Sequence, residues 1–155
     1  MKRLLYLGFV LVLALGACAR QSKGVLDFDS ATQEISAAYG EKEGFVRADE
    51  DFVLTNFGAP DYVTDSAVFL SDTGEIGIFA LSDAKHAPKM QKTIEEYLTL
   101  ERESVVSLAE LYPADELSAR LARFDSARVG AVGSTVYYYM LDANAATAVE
   151  KLFRK

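Results

Sequence analysis

The sequence is poor in several residues that build reactive sites. Its single cysteine, Cys18, excludes an intramolecular disulfide, and its single histidine, His86, excludes a metal site made of imidazoles. Basic residues are also scarce, because 16 Lys and Arg stand against 23 Asp and Glu. Nucleic acids and anionic lipid headgroups are bound through clusters of Lys and Arg. We therefore expect no nucleic-acid partner.

The length of 155 residues predicts one globular domain. The divisions that the sequence suggests are a signal peptide over residues 1–17, a lipid anchor and tether over 18–28, and a single domain over 29–155. A receptor that delivers solutes to a transporter usually needs two lobes around a cleft, so this length disfavours that function.

The first eighteen residues have the pattern of a bacterial lipoprotein signal. Lys2 and Arg3 precede an apolar run over residues 4–15, which is too short to cross a hydrocarbon core of ~30 Å as a helix. The run ends in Leu-Gly-Ala-Cys, the lipobox pattern, with Cys18 as the residue that carries the lipid. The alternative is a plain signal peptide in which Cys18 is an ordinary small residue. The pattern predicts an extracytoplasmic protein held on the bacterial cell membrane by lipid on Cys18.

Helical spacing and capping residues predict five helices. Ser30 starts the first as part of a capping box, Gly40 ends it in a left-handed conformation, and Asp83 caps the longest. Pro113 separates the third helix from the fourth. The predicted ranges are 30–39, 50–57, 84–111, 114–121 and 143–153.

Two hairpins are predicted from runs of β-branched and aromatic residues. The first joins 62–70 to 75–81 through a polar turn, and the second joins 125–132 to 135–141 at Gly133, which tolerates positive φ. Each hairpin precedes an Asp-Ala pair and a helix. This internal similarity arises either by duplication of a sequence segment or because two ββα-like units need the same turn and cap residues. The matching pairs are Gly74 and Gly133, Phe79 and Tyr138, and Asp83 and Asp142.

These elements predict an α+β fold. Its expected architecture is a four-stranded antiparallel sheet built from two ββα-like units, with helices mainly on one face and further helices at the N-terminus.

Several features of the chain occur together: the lipobox at Cys18, strand 75–79 followed by Asp83, Arg102, the Tyr112-Pro113 pair with Glu116, and the Gly133 hairpin. In these features the chain resembles a family of small bacterial lipoproteins, mostly from anaerobic Gram-positive bacteria, called domain of unknown function 4358. The likeness covers most of the chain from Thr55 onward. The family often has Lys at the position that Ala80 occupies after the aromatic residue of the strand, so any role of that Lys is absent here. The resemblance implies lipidation and extracytoplasmic placement. The family has no assigned catalytic or ligand-binding residues, so the resemblance assigns none to this chain.

Few residues suggest catalysis. Ser82 and Lys85 have the Ser-x-x-Lys spacing of penicillin-binding enzymes, but the companion Ser-Asp-Asn and Lys-Thr-Gly motifs are absent. Ser82 is then an ordinary residue at a helix start, and His86 a surface residue in the first turn. Acidic pairs such as Asp27 and Asp29 could hold Ca²⁺, but none has the spacing of a twelve-residue calcium loop. No metal or other cofactor is predicted.

Three consecutive tyrosines offer a different kind of site. In a strand, Tyr137 and Tyr139 point to one face of the sheet and Tyr138 to the other. If helices cover only the Tyr138 face, Tyr137 and Tyr139 form an aromatic platform able to bind an envelope protein, a peptide or a glycan. The alternative is that they are strand residues partly covered by the first helix.

Two functions remain open from the sequence. The first is a non-catalytic, lipid-anchored module of the cell envelope that binds a partner, with Tyr137 and Tyr139 as candidate binding residues. The second is a small envelope hydrolase or transferase that uses Ser82 or His86.

Overall fold

The computed structural model describes residues 27–40, 44–111 and 113–153. The predicted signal peptide and Cys18 lie outside these residues, as does most of the predicted tether. No helix within the three described ranges is long and apolar enough to cross a membrane.

The described residues form five α-helices and five β-strands, together with two short 3-10 turns at Ala84–His86 and Ala109–Leu111. The helices are α1 (Phe28–Tyr39), α2 (Glu50–Phe57), α3 (Ala87–Ser107), α4 (Ala114–Ser126) and α5 (Ala143–Phe153). The strands are β1 (Val46–Arg47), β2 (Val63–Ser71), β3 (Gly74–Leu81), β4 (Arg128–Val132) and β5 (Thr135–Met140).

The strands form one open antiparallel sheet in the order β1-β2-β3-β5-β4. The α+β class is therefore confirmed, but the predicted number of four strands is wrong. The additional strand is β1, in which Val46 lies opposite Leu70 and Arg47 opposite Phe69. Two residues are too few to display the alternation by which a strand is recognised in a sequence.

Helices cover both faces of the sheet, so the prediction of helices mainly on one face is wrong. Ile76 and Ile78 of β3 pack in a core with α1 and α5. Phe79 and Leu81 point the other way, into a core with α2 and α3. A central strand buried on both faces needs a helical layer on each side, because either face left bare would expose large apolar side chains.

The two predicted hairpin–helix units differ in their three-dimensional arrangement. After the first hairpin, Met90 and Ile94 of α3 enter the core on one face of the sheet. After the second hairpin, Val149 and Phe153 of α5 enter the core on the opposite face. The internal similarity of the two units in sequence is therefore not matched by the same packing of their helices.

The ends of α1 also differ from the prediction. Asp27 caps the helix, because its Oδ2 accepts a hydrogen bond from the Ser30 backbone N–H at 3.0 Å and another from the Ser30 hydroxyl. Ser30 therefore lies inside the helix and does not cap it. Gly40 does end the helix, but its φ is −58°, so the predicted left-handed conformation is wrong. Its lack of a side chain instead leaves room for the Ser36 carbonyl.

Asp83 does cap a helical segment, since its Oδ1 accepts from the Lys85 backbone N–H at 2.8 Å, but it does not cap α3 as predicted, because the residue that precedes α3 is His86. The residues after Asp83 form a 3-10 turn before α3 begins at Ala87. At the other end, α3 stops at Ser107 and a second 3-10 turn follows. The predicted continuous helix over 84–111 is therefore three consecutive segments.

Candidate functional site

Tyr137 and Tyr139 do not form an exposed platform. They do share a face of the sheet, opposite Tyr138, as the alternation predicts. That face is covered by α1 and α5, so Tyr139 is only 2% exposed. Tyr137 is half-buried and stacks on Phe153, with ring centroids 3.9 Å apart. The condition on which the platform depended, a sheet face free of helices, is not met.

The contacts of Ser82 and His86 differ from those of a catalytic nucleophile and its general base. Ser82 is exposed at the end of β3, where its backbone N–H donates to the Tyr62 carbonyl. His86 stacks on Tyr62, with the two ring centroids 4.8 Å apart. The Lys85 ammonium is 3.1 Å from Oδ2 of Asp83. Within the described ranges, the hydroxyl of Ser82 has no hydrogen bond to Lys85 or His86.

A cleft of about 530 Å³ lies between α2 and the first half of β2. Two backbone features open it. Helix α2 ends at Gly58, whose φ of 72° turns the chain away, and the following residues up to Pro60 form one end of the cleft. The pairing of β2 with β3 is irregular between Val63 and Asp65, which shifts the strand register beside the cleft.

The cleft lining combines apolar side chains with an acidic rim. Phe57, Phe79 and Met90 line it but are almost wholly buried, so the apolar surface that a ligand can reach belongs to Val53, Leu54 and Val63. Ligand sites commonly combine apolar surface with a few polar groups at defined positions. The carboxylates at the rim are those of Glu50, Asp51 and Asp65, all exposed.

A buried carboxylate lies on the same face of the sheet as the cleft. Glu75, near the start of β3, is 6% exposed. The Tyr97 hydroxyl of α3 donates to it at 3.0 and 3.1 Å, and the Tyr138 hydroxyl of β5 donates to its Oε1. Both tyrosines are themselves buried. Two hydroxyl donors partly replace the water that this carboxylate loses on folding.

Burial dominates the ionisation of this cluster. It raises the pKa of Glu75 to about 7, against the opposing hydrogen bonds from Tyr138 and Tyr97 and with a small further contribution from the charge of Glu101. Burial likewise raises the pKa of Tyr97 and of Tyr138 well above the usual range. Glu75 is therefore the group in this cluster that changes charge near neutral pH.

Phe57 joins the cleft to this cluster. It lines the cleft, and its ring centroid lies 4.6 Å from that of Tyr97 and 5.8 Å from that of Tyr138. A ligand against Phe57 would therefore lie one aromatic layer from the tyrosines that hold Glu75. Glu75 itself does not line the cleft.

Neither the cleft nor the burial of Glu75 was predicted from the sequence. The sequence does contain a signal for Glu75. It lies in a strand in which Gly77 and Phe79 occupy the same face, and the residues on the other face are also apolar. A carboxylate within a strand that is apolar on both faces is expected to be buried in the core. The cleft has no comparable signal, since it forms only where α2, β2, β3 and α3 meet.

Within the described residues, no group of three or more His, Cys, Asp or Glu side chains could hold a metal ion. No protein family matches this chain, and neither a curated protein nor a solved structure does.

Proposed function

We propose that this protein is a lipid-anchored, extracytoplasmic binding module of the bacterial cell envelope, and that the cleft between α2 and β2 is its binding site. The observation that carries the binding role is the apolar part of the cleft lining, in which Val53, Leu54 and Val63 are accessible beside the buried Phe57, Phe79 and Met90. An apolar ligand that displaced water from the accessible side chains would gain binding free energy in proportion to the area covered. The membrane location is supported by the lipobox that ends at Cys18.

The cleft supports binding better than the sequence-predicted tyrosine platform does. Tyr137 and Tyr139 are covered by helices, whereas the cleft opens between two elements and has exposed residues at its mouth, among them Leu54 and Ala59. Ser82 and His86 do not line it. The envelope hydrolase or transferase that would use them has no supporting contact among the described side chains.

Membrane attachment is tested by expressing the chain and its Cys18→Ser variant in a bacterium with a lipoprotein pathway. The unaltered chain should fractionate with membranes and incorporate labelled fatty acid, and the variant should do neither. Incorporation of label into the variant, or membrane attachment of both forms without label, would reject lipidation at Cys18.

The cleft is tested with 1-octanol as a neutral apolar probe. Titration followed by calorimetry should give saturable binding to the unaltered protein. Ala59→Trp places an indole at the mouth of the cleft and should weaken binding strongly. Ala131→Trp is the matched control, because Ala131 is exposed on β4, at the opposite edge of the sheet. Absence of saturable binding, or equal binding by both variants, would reject the cleft as the site.

A further inference from the structure

We propose that the cleft selects a small organic cation, an ammonium group carried on an apolar body. This inference deepens the proposed function and depends on it. It concerns the class of ligand, and it comes from the charges around the cleft.

The charge of the cleft lining has one sign. Three of its residues are carboxylates, and none is Lys, Arg or His. Glu50 and Asp51 lie in the first turn of α2, and Asp65 lies on β2. The negative charge therefore comes from two elements that bound the cleft, where an ammonium group would be attracted from both.

These three carboxylates have no ion-pair partner among the described residues. Two cations lie beside lining residues without pairing with these carboxylates. The Lys89 ammonium lies 4.7 Å from the centre of the Tyr62 ring. The Arg47 guanidinium donates to the backbone carbonyl of Ser66, a residue of the lining, at 3.1 Å, and Arg47 does not itself line the cleft.

Helix capping accounts for only part of this charge. Carboxylates in a first turn, such as those of Glu50 and Asp51, are favoured by the positive end of a helix whatever the ligand. Asp65 has no such role, because it lies at the irregular pairing of β2 opposite Ala80. The Asp65 carboxylate therefore does not stabilise α2, and its position at the rim needs another explanation.

The apolar part of the lining complements a ligand of this class. Val53, Leu54 and Val63 offer accessible apolar surface to a hydrocarbon body, while the rim meets the charged end. The cavity of about 530 Å³ has the size of a small-molecule site. An anionic ligand of the same shape would meet like charge at the rim and would be rejected.

The test compares three probes of equal chain length: n-octylammonium, 1-octanol and octanoate. We expect n-octylammonium to bind about ten-fold more tightly than 1-octanol, and octanoate more weakly than either. Raising the ionic strength should weaken n-octylammonium binding and leave 1-octanol binding nearly unchanged. This salt titration needs no variant, so it does not depend on the folding of any mutant.

Asp51→Asn with Asp65→Asn removes two rim charges and should bring the affinity for n-octylammonium close to that for 1-octanol. Glu103→Gln with Asp115→Asn is the matched control. It removes the same net charge at exposed positions on α3 and α4 and should change binding little.

The outcomes separate the two proposals. Equal affinity for n-octylammonium and 1-octanol, with both blocked by Ala59→Trp, would overturn selection of a cation and leave the binding cleft intact. Tighter binding of octanoate, or equal effects of the two double variants, would also overturn it. Failure of all three probes to bind saturably would reject the cleft itself.

Discussion

The ring of Tyr138 lies in the space that a side chain at Gly77 would fill. The two residues are directly opposite each other on β5 and β3. A Cβ at position 77 would overlap three atoms of the Tyr138 ring. Because the ring crosses β3 at this glycine, its hydroxyl reaches Glu75, the next residue of β3 on the same face.

Gly77→Ala should therefore destabilise the protein by about 2 kcal/mol, because the added methyl group forces the Tyr138 ring to move within a closely packed core. Denaturant unfolding measures the loss. In a Tyr138→Ala background the space is vacant, so the same glycine substitution should cost much less. Equal costs in the two backgrounds would show that overlap with the ring is not the cause.

Glu75 should make the protein less stable as the pH rises. Its pKa is about 7 in the folded state and 4.5 in the unfolded state, so the folded protein binds the extra proton between these values. The contribution of Glu75 to stability is fully present below pH 4.5 and is lost as the pH rises through 7, by about 3 kcal/mol in total. Denaturant unfolding at a series of pH values measures this loss.

Two variants isolate the contribution of this one carboxyl group. Glu75→Gln keeps a neutral side chain at the position and should lose this part of the pH dependence. At pH 8 it should be more stable than the unaltered protein. Glu103→Gln, on the exposed part of α3, should retain the full pH dependence. If Glu75→Gln gave the same pH profile as the unaltered protein, Glu75 would not be the titrating group.

The two hairpins show how far local pattern predicts this fold. The ranges 62–70 and 75–81 agree within one residue with β2 and β3, because β-branched and aromatic runs flanking a polar turn are a local signal. Local sequence does not determine the side of the sheet on which each helix packs. That side depends on which face of β3 each helix reaches, and both faces of that strand are apolar.

The candidate site was less predictable for the same reason. Tyr137 and Tyr139 were correctly placed on one face of the sheet. Whether that face is open depends on where α1 and α5 pack. Helix α1 is distant from β5 in sequence, and the direction in which α5 leaves β5 is not marked in the residue pattern. The cleft depends on the end of α2 at Gly58 and on the irregular pairing near Asp65. The first agrees with the end of the helix predicted over 50–57, but the second has no mark in the residue pattern.

Tyr97→Phe should destabilise the protein more at pH 8 than at pH 5. The substitution removes a hydroxyl that donates to both oxygens of Glu75, and such a bond stabilises the charged carboxylate more than the neutral acid. We expect a loss of about 2 kcal/mol at pH 8. An NMR titration of the Glu75 carboxyl carbon should give a pKa higher than in the unaltered protein.

Tyr62→Phe provides the control for this prediction, because Tyr62 is also buried but its ring contacts His86 and not Glu75. It should leave the Glu75 titration unchanged. A lowered pKa of Glu75 in Tyr97→Phe would contradict the donor role of the Tyr97 hydroxyl.

Phe153→Ala tests whether α5 covers the face of the sheet that carries Tyr137. The Phe153 ring is buried and stacks on Tyr137, so its removal leaves a cavity between helix and sheet and should cost about 3 kcal/mol or more. Leu111→Ala is the control, because Leu111 is 76% exposed and its truncation should change stability by less than about 0.5 kcal/mol. Equal, small losses in denaturant unfolding would mean that α5 does not pack on the sheet. Tyr137 would then be exposed, and the aromatic platform would again compete with the cleft as the binding site.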